Sequence, residues 1–156
     1  MMQHQKTFSP SANLPMLSVT FPFIEIRQTV EAPSYEVWNV MTDTSLWPCW
    51  GPSIRRVECA DRPIKAGSTG RVQLISGLWI KFVVTNLVEG RYWSWHILGV
   101  RATGHRVEPI NTTRCLAIFE IPIFAAPYII VCKVALDRIR KLAGSTSPSR
   151  VSRSVS

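Results

Sequence analysis

Phe119 to Gly144 reads "FEIPIFAAPYIIVCKVALDRIRKLAG". With Leu116 to Ile118 in front it is the most apolar part of the chain, either a membrane anchor or the last strand and last helix of a globular domain. A membrane span needs about 20 apolar residues with few interruptions. Here Glu120, Pro122, Pro127 and Lys133 interrupt the run, and a charge near the centre of a span costs roughly 2.5 to 3.5 kcal/mol. The period also changes at Pro122. Before it, "TTRCLAIFEI" reads as a strand rich in branched and aromatic residues. After it, Tyr128, Cys132, Ala135, Ile139 and Leu142 form one helical stripe, Pro127 suits a first turn, Asp137 and Lys141 pair at i,i+4, and Gly144 is a stop. The expected helix is about 17 residues, roughly 25 Å long at 1.5 Å per residue. Its apolar half, Tyr128 to Leu136 with only Lys133 charged, is expected to form a cavity wall.

Upstream, "FIEIRQTV" alternates over Phe23 to Val30 as a half-buried strand does. In "APSYEVWNVMTD", Val37, Val40 and Met41 with Trp38 recur at helical spacing, with Pro33 or Ser34 opening the helix and Glu36 in its first turn. Pro48, Gly51 and Pro52 limit "TSLWPCWGP" to a turn or two carrying Trp47 and Trp50 on one side. From Ser53 onward "SIRRVECA", "GRVQLI", "LWIKFVVTNLVE", "RYWSWHIL" and "ATGHRVEPI" are further strands, and the short links between them require antiparallel neighbours. The expected order is strand, two short helices, six strands and a long helix. This is an α+β fold in which a seven-stranded antiparallel sheet curls around the last helix.

The 156 residues are 46% apolar and 18% charged, enough for one domain with a sizeable core. The Ser-, Pro- and Gln-rich segments 1–18 and 144–156 read as disordered tails around a domain over 19–143, the second tail basic. Much of the formal charge of +8 comes from Arg138, Arg140, Lys141, Arg150 and Arg153. The remaining basic residues are scattered without a nucleic-acid-binding signature, so nucleic acid is not an expected partner. Cys49, Cys59, Cys115 and Cys132 lie at least ten residues apart, without a CxxC pair. No metal-ligand spacing, phosphate loop, nucleotide fingerprint or nucleophile elbow is present, and no cofactor is expected. The N-terminal stretch lacks a continuous apolar signal region, and the expected location is cytoplasmic. Oligomeric state is not legible.

Several strings, in order, resemble the SRPBCC or START-like superfamily, which includes polyketide cyclase/dehydrase, lipid-transport and birch-pollen-allergen-like proteins. "VEAPSYEVWNVMTDTSLWPCW" (30–50) is similar to that family's opening strand, Ala-Pro, helix, Asp and Trp-Pro-x-Trp pattern, with Asp43 at the helix end. "GSTGRVQL" (67–74) resembles its glycine-led strand, and "VVTNLVEGRYWSW" (83–95) its Val-Thr, Glu-Pro and Leu-x-Trp stretch, with Gly90 where Pro is common. "GHRVEPINTTR" (104–114) is similar to its His-containing strand and Glu-Pro turn. The resemblance covers about Ile24 to Ala143. It implies a helix-grip fold around a deep apolar cavity. Members bind lipids, sterols, polyketides or plant hormones, some catalyse cyclisation or dehydration, and the fold alone does not select among these.

Strand parity places Trp93, Trp95 and Ile97 inward, opposite Tyr92, Ser94 and His96, and Ile80, Phe82 and Val84 inward, opposite Lys81. For the last strand the resemblance favours Cys115, Ala117, Phe119 and Ile121 inward, with Arg114 and Glu120 outward. The expected ligand set is Trp50, Ile80, Phe82, Val84, Trp93, Trp95, Cys115, Ala117, Phe119 and Cys132. Trp47 reads first as a clamp holding the early helices to the sheet, and Trp50 equally as clamp or as gate at the cavity mouth. The expected proton-transfer groups are His105, aligned with the family's inward His, and Tyr128, since an imidazole in an apolar pocket titrates near neutrality.

Two functions follow. One is a cofactor-free cyclase or dehydrase of secondary metabolism that folds an aromatic or polycyclic intermediate between Phe82, Trp93, Trp95, Phe119 and the last helix, by conformational restriction. The other is a non-catalytic carrier of a lipid or apolar metabolite. A protein-interaction module would need an exposed apolar patch, which the sequence does not display.

Overall fold

The structure, a computed structural model, describes residues 15–146, with Thr146 described by its backbone alone. The element order is β1 Met16–Thr20, β2 Phe23–Val30, α1 Ser34–Thr42, a 3-10 turn Thr44–Leu46, α2 Trp47–Trp50, β3 Ile54–Cys59, β4 Thr69–Leu74, β5 Trp79–Val88, β6 Tyr92–Ile97, β7 Val100–Pro109, β8 Cys115–Pro122, a 3-10 segment Ile123–Tyr128 and α3 Ile129–Thr146. Eight antiparallel strands form one curved sheet in the order β1-β2-β8-β7-β6-β5-β4-β3. The expected helix-grip architecture is present, with one strand more than the seven read from the sequence. The added strand is β1, which places residues 16–18 in the sheet and not in a tail. Its side chains are exposed on both faces, so it shows no in–out alternation. The tail expectations for residues 1–14 and 147–156 lie outside the described residues.

α3 packs on β2, β8, α1 and α2. It buries Cys132, Ala135, Leu136, Ile139 and Ala143, a stripe shifted slightly from the expected one. Pro127 belongs to the 3-10 segment, so the helix proper begins at Ile129, and it continues past Gly144. Ile130 and Val134 face solvent. The apolar first half of the helix is therefore only partly a wall, which corrects the expectation for Tyr128 to Leu136. No helix of the described residues is long and apolar enough to cross a membrane.

The two short helices are locked by tryptophan. Trp47 Nε1 donates to the Met41 carbonyl at 3.0 Å and Trp50 Nε1 donates to the Val40 carbonyl at 3.1 Å. Both acceptors lie in the last turn of α1, where carbonyls have no helical partner. The clamp reading is correct for Trp47, and Trp50 is likewise a clamp, since both indoles are buried. Trp47 enters the sheet's concave side, stacked on Trp93 with ring centres 5.4 Å apart and planes 3° apart, and edge-on to Trp95 at 5.2 Å. Phe82 closes the cluster at 5.4 Å from Trp47.

The opposite face of the sheet carries a charged network. Arg106 reaches Glu25 at 3.0 Å, Glu120 at 2.7 Å and Glu108 at 2.9 Å, while Arg27 reaches Glu25 at 2.6 Å. Burial alone would raise the Glu25 pKa, but the hydrogen bonds from Arg27 and Arg106 outweigh it and hold the carboxyl below its ordinary range. Gly104 sits beneath the network. A Cβ there would lie 2.8 Å from Glu120 Oε2 and 2.9 Å from the Tyr92 hydroxyl, so a side chain would displace the carboxylate.

Candidate functional site

The expected ligand space between Phe82, Trp93, Trp95 and Phe119 is filled by Trp47, and only a crevice of about 30 Å³ remains near it. The usable cavity, about 330 Å³, lies nearer the end of the sheet where β6 and β8 finish and β5 and β7 begin. Leu74, Ile80, Ile97, Val100, Arg101 and Ala102 come from the strands, Pro122, Phe124, Ala125 and Tyr128 from the segment leading into α3, and Trp95 and Thr103 from the interior. A shallow groove on the outer face of β4 and β5, about 410 Å³ in volume, is lined by Glu58, Arg71 and Lys81 among others.

A β-bulge shapes the inner end of the cavity. Ser94 pairs with Gly104 and His96 with Arg101, which leaves Ala102 and Thr103 together opposite Trp95. The bulge keeps Thr103 on the concave side with His105, while Arg101 turns to the other face, where it donates to the Tyr92 hydroxyl at 3.0 Å and covers Phe23 at 4.1 Å.

Thr103 links Trp95 to His105 by hydrogen bonds. Trp95 Nε1 can only donate, and it donates to Thr103 Oγ1 at 3.1 Å. The Thr103 hydroxyl lies 3.1 Å from His105 Nε2. A hydroxyl oxygen that accepts from Trp95 can still either donate to Nε2 or accept from it, so the direction of this second bond follows the imidazole tautomer. His105 is 2% exposed, stacked on Trp93 at 3.8 Å and edge-on to Phe119 at 4.5 Å. That burial pushes its pKa down to about 3. The expectation that His105 titrates near neutrality is thereby corrected. Enclosure between aromatic rings disfavours an imidazolium, and His105 is a neutral imidazole hydrogen-bonded to Thr103.

Tyr128 stands where the cavity and the inner crevice meet. Its hydroxyl is 2.7 Å from Ser53 Oγ, tucked inward although the residue as a whole is 40% exposed. Burial holds its pKa above the ordinary value despite the opposing Ser53 hydrogen bond. A group so placed stays a phenol, with a hydroxyl that can donate or accept. Burial likewise raises the Cys115 and Cys132 thiols to about 12, which makes both poor nucleophiles.

Among the sequence-derived ligand residues, Ile80 and Trp95 line the larger cavity, while Trp50, Phe119 and Cys132 line the crevice with His105. Phe82, Val84, Trp93, Cys115 and Ala117 lie in the packed core. Thr103 was missed, although its parity with His105 was available. Ala102 depends on the bulge, and Phe124 and Ala125 on a 3-10 segment read as helix and connection. Among the described residues no three His, Cys, Asp or Glu side chains converge on a potential metal site.

The sequence profile of the family described as polyketide cyclase / dehydrase and lipid transport matches residues 24–126. The chain belongs to this family. The match runs from β2 through the 3-10 segment at the cavity's edge, and membership supports hydrophobic-ligand binding at the level of the family. No curated protein matches the chain. The protein XoxI from Bacillus cereus superposes with a TM-score of 0.62 at 11% identity, over 79% of this chain and 96% of that one. A conserved protein of unknown function from Enterococcus faecalis superposes with a TM-score of 0.60 at 14% identity, over 82% and 75%. Norcoclaurine synthase from Thalictrum flavum, solved in complex with dopamine and hydroxybenzaldehyde, superposes with a TM-score of 0.55 at 11% identity, over 94% and 96%. At these identities the likeness is one of fold.

Proposed function

We propose that the protein binds a hydrophobic, ring-bearing small molecule in the 330 Å³ cavity and promotes its cofactor-free cyclisation or dehydration. The observation that carries this reading is the convergence of two hydroxyls, Thr103 and Tyr128, on a cavity walled mainly by apolar residues such as Leu74, Ile80, Ile97 and Trp95, with Arg101 at its edge and its guanidinium engaged on the other face. Ligand sites are typically apolar clefts of about 300 to 1,000 Å³ with a few placed polar groups. This one is at the small end, sized for one or two rings with the remainder at the mouth.

The wall restricts the ligand to a folded conformer, which brings its reacting atoms together. Tyr128, held as a phenol, donates to a carbonyl oxygen of the ligand and stabilises negative charge developing there. Thr103 is held by Trp95 and His105, and presents a hydroxyl oxygen of fixed orientation. Removal of a proton from carbon falls to water at the open mouth, because burial makes the imidazole of His105 a very weak base and it does not line the cavity. Norcoclaurine synthase, which shares the fold, was solved with dopamine and hydroxybenzaldehyde bound, and a ring-bearing ligand is in keeping with that.

One observation favours the alternative of a lipid or apolar-metabolite carrier. The cavity wall carries no carboxylate or histidine. Native mass spectrometry on protein from its own host separates the two, since a carrier releases its ligand unchanged and a cyclase yields an isomer or the product less one water. Occupancy itself is tested with anilinonaphthalene sulfonate, whose fluorescence should rise on binding the wild type and fall at least tenfold in binding strength in Ala102→Phe, which fills the cavity. Equal binding by both proteins would place the ligand elsewhere.

A further inference from the structure

We propose that the mouth of the cavity is a docking surface for an anionic phospholipid bilayer, through which the protein exchanges its apolar ligand. The exchange role rests on the cavity reading above, whereas the docking surface stands on separate observations. β4 ends at Leu74, β6 ends at Ile97, β7 begins at Val100 and β8 ends at Pro122, and all four residues line the cavity. The turns and helix start beside them therefore surround its opening. They hold large apolar side chains in water: Ile75 is 71% exposed, Leu78 60%, Leu98 74%, Phe124 71% and Ile130 73%. An apolar patch of this kind marks a binding surface.

Leu98 adds an independent sign. It adopts φ 51°, beside Gly99 at φ 78°, so the tip of the β6–β7 hairpin needs two left-handed residues. Asn or Gly meets that requirement far better than leucine. Neither turn geometry nor packing accounts for an exposed leucine there, and insertion among lipid chains does.

Charge selects the partner. Segments 51–57, 74–88, 97–107 and 121–136, which supply the mouth and its approaches, contain no Asp or Glu. They contain Arg55, Arg56, Lys81 and Lys133, all exposed. The carboxylates Glu31, Glu36, Glu89 and Glu108 belong to the opposite end of the strands and to α1. Glu58 beside Lys81 is paired with Arg71, and Glu120 is paired with Arg106 and Arg101, so the rim keeps a net cationic character and, bearing separate apolar points, fits anionic headgroups above hydrocarbon. The tips surround an opening and form no groove for a partner's helix or strand.

The test is co-sedimentation of the full chain with vesicles of phosphatidylcholine alone and of phosphatidylcholine mixed with phosphatidylserine, without added ligand. The expected result is binding to the anionic vesicles that weakens with salt, and a loss of about tenfold or more in the double variant Leu98→Asn, Phe124→Ser. Ile110→Ser, at the far hairpin and 50% exposed, should bind as the wild type does. Leu98→Asn alone should raise the thermal midpoint while lowering vesicle binding, a pairing that a structural role for Leu98 would not give. Undiminished binding by the double variant overturns the proposal, as does absence of vesicle binding or a dimer in solution that Leu98→Asn dissociates. A failure in this assay leaves anilinonaphthalene sulfonate binding untouched, so the cavity and the docking surface fall separately.

Discussion

His105 makes the fold sensitive to mild acid. Its pKa falls from the ordinary 6.5 to about 3 because the ring is enclosed by Trp93, Phe119 and Trp50. In the unfolded chain the imidazole binds a proton below pH 6.5, and in the folded chain it does not. Between pH 6.5 and about 3 the unfolded state therefore holds the extra proton, and stability falls as pH falls. At pH 5 the gap is 1.5 pH units below the unfolded pKa, which at 1.36 kcal/mol per unit is a loss of about 2 kcal/mol relative to pH 7 and above. Glu25, Asp61 and Asp137 also have lowered pKa values, but their contributions fade chiefly below the ordinary carboxylate range and leave the interval from pH 7 to 5 to His105. Urea unfolding, followed by the fluorescence of the buried tryptophans, measures the difference directly. His105→Phe preserves ring volume in the aromatic sandwich and removes the titration, so its stability should be nearly flat over the same interval even if lower throughout. A wild type with equal stability at pH 7 and pH 5, or a variant that keeps the 2 kcal/mol slope, would refute the reasoning.

Trp47→Ala should cost about 3 to 5 kcal/mol by calorimetry or urea unfolding, because it empties a fully buried site and removes the indole donor from the Met41 carbonyl. Arg106→Met should cost about 2 kcal/mol at pH 7 by leaving Glu25 and Glu120 without their shared cation. The deficit should shrink as pH falls and Glu25 takes up a proton, and a deficit that grows toward pH 4 would contradict the network's role.

The elements legible in the sequence were those with one wet and one dry face. β2 and the strands from Ile54 onward declare themselves by branched and aromatic residues between short turns, and the period change at Pro122 separates β8 from the helix. β1 was hidden because water reaches both of its faces. For α3 an apolar majority on every side of the first turns left the covered face undetermined, so Ile130 and Val134 read as wall when they face solvent. Parity correctly put Trp93, Trp95, Phe82 and Phe119 on the concave side. It gives direction and not vacancy, and whether the enclosed space is open depends on how far Trp47 reaches from a different element. Burial depth was likewise invisible for His105, whose ordinary pKa was assumed for want of knowing that aromatic rings close over it. The Ala102–Thr103 bulge has no sequence signature here and was not foreseen.

Trp47 can also be viewed as cargo that the chain supplies to itself. Its indole stacks on Trp93 and is hydrogen-bonded through its one polar atom, as a bound aromatic guest would be. Because a tethered guest never dissociates, it occupies the aromatic centre of the sheet at a very high effective concentration. The boundary between protein and ligand on this scaffold therefore rests at a single position of a four-residue helix. Exchanging that side chain for a smaller one trades folding stability for room.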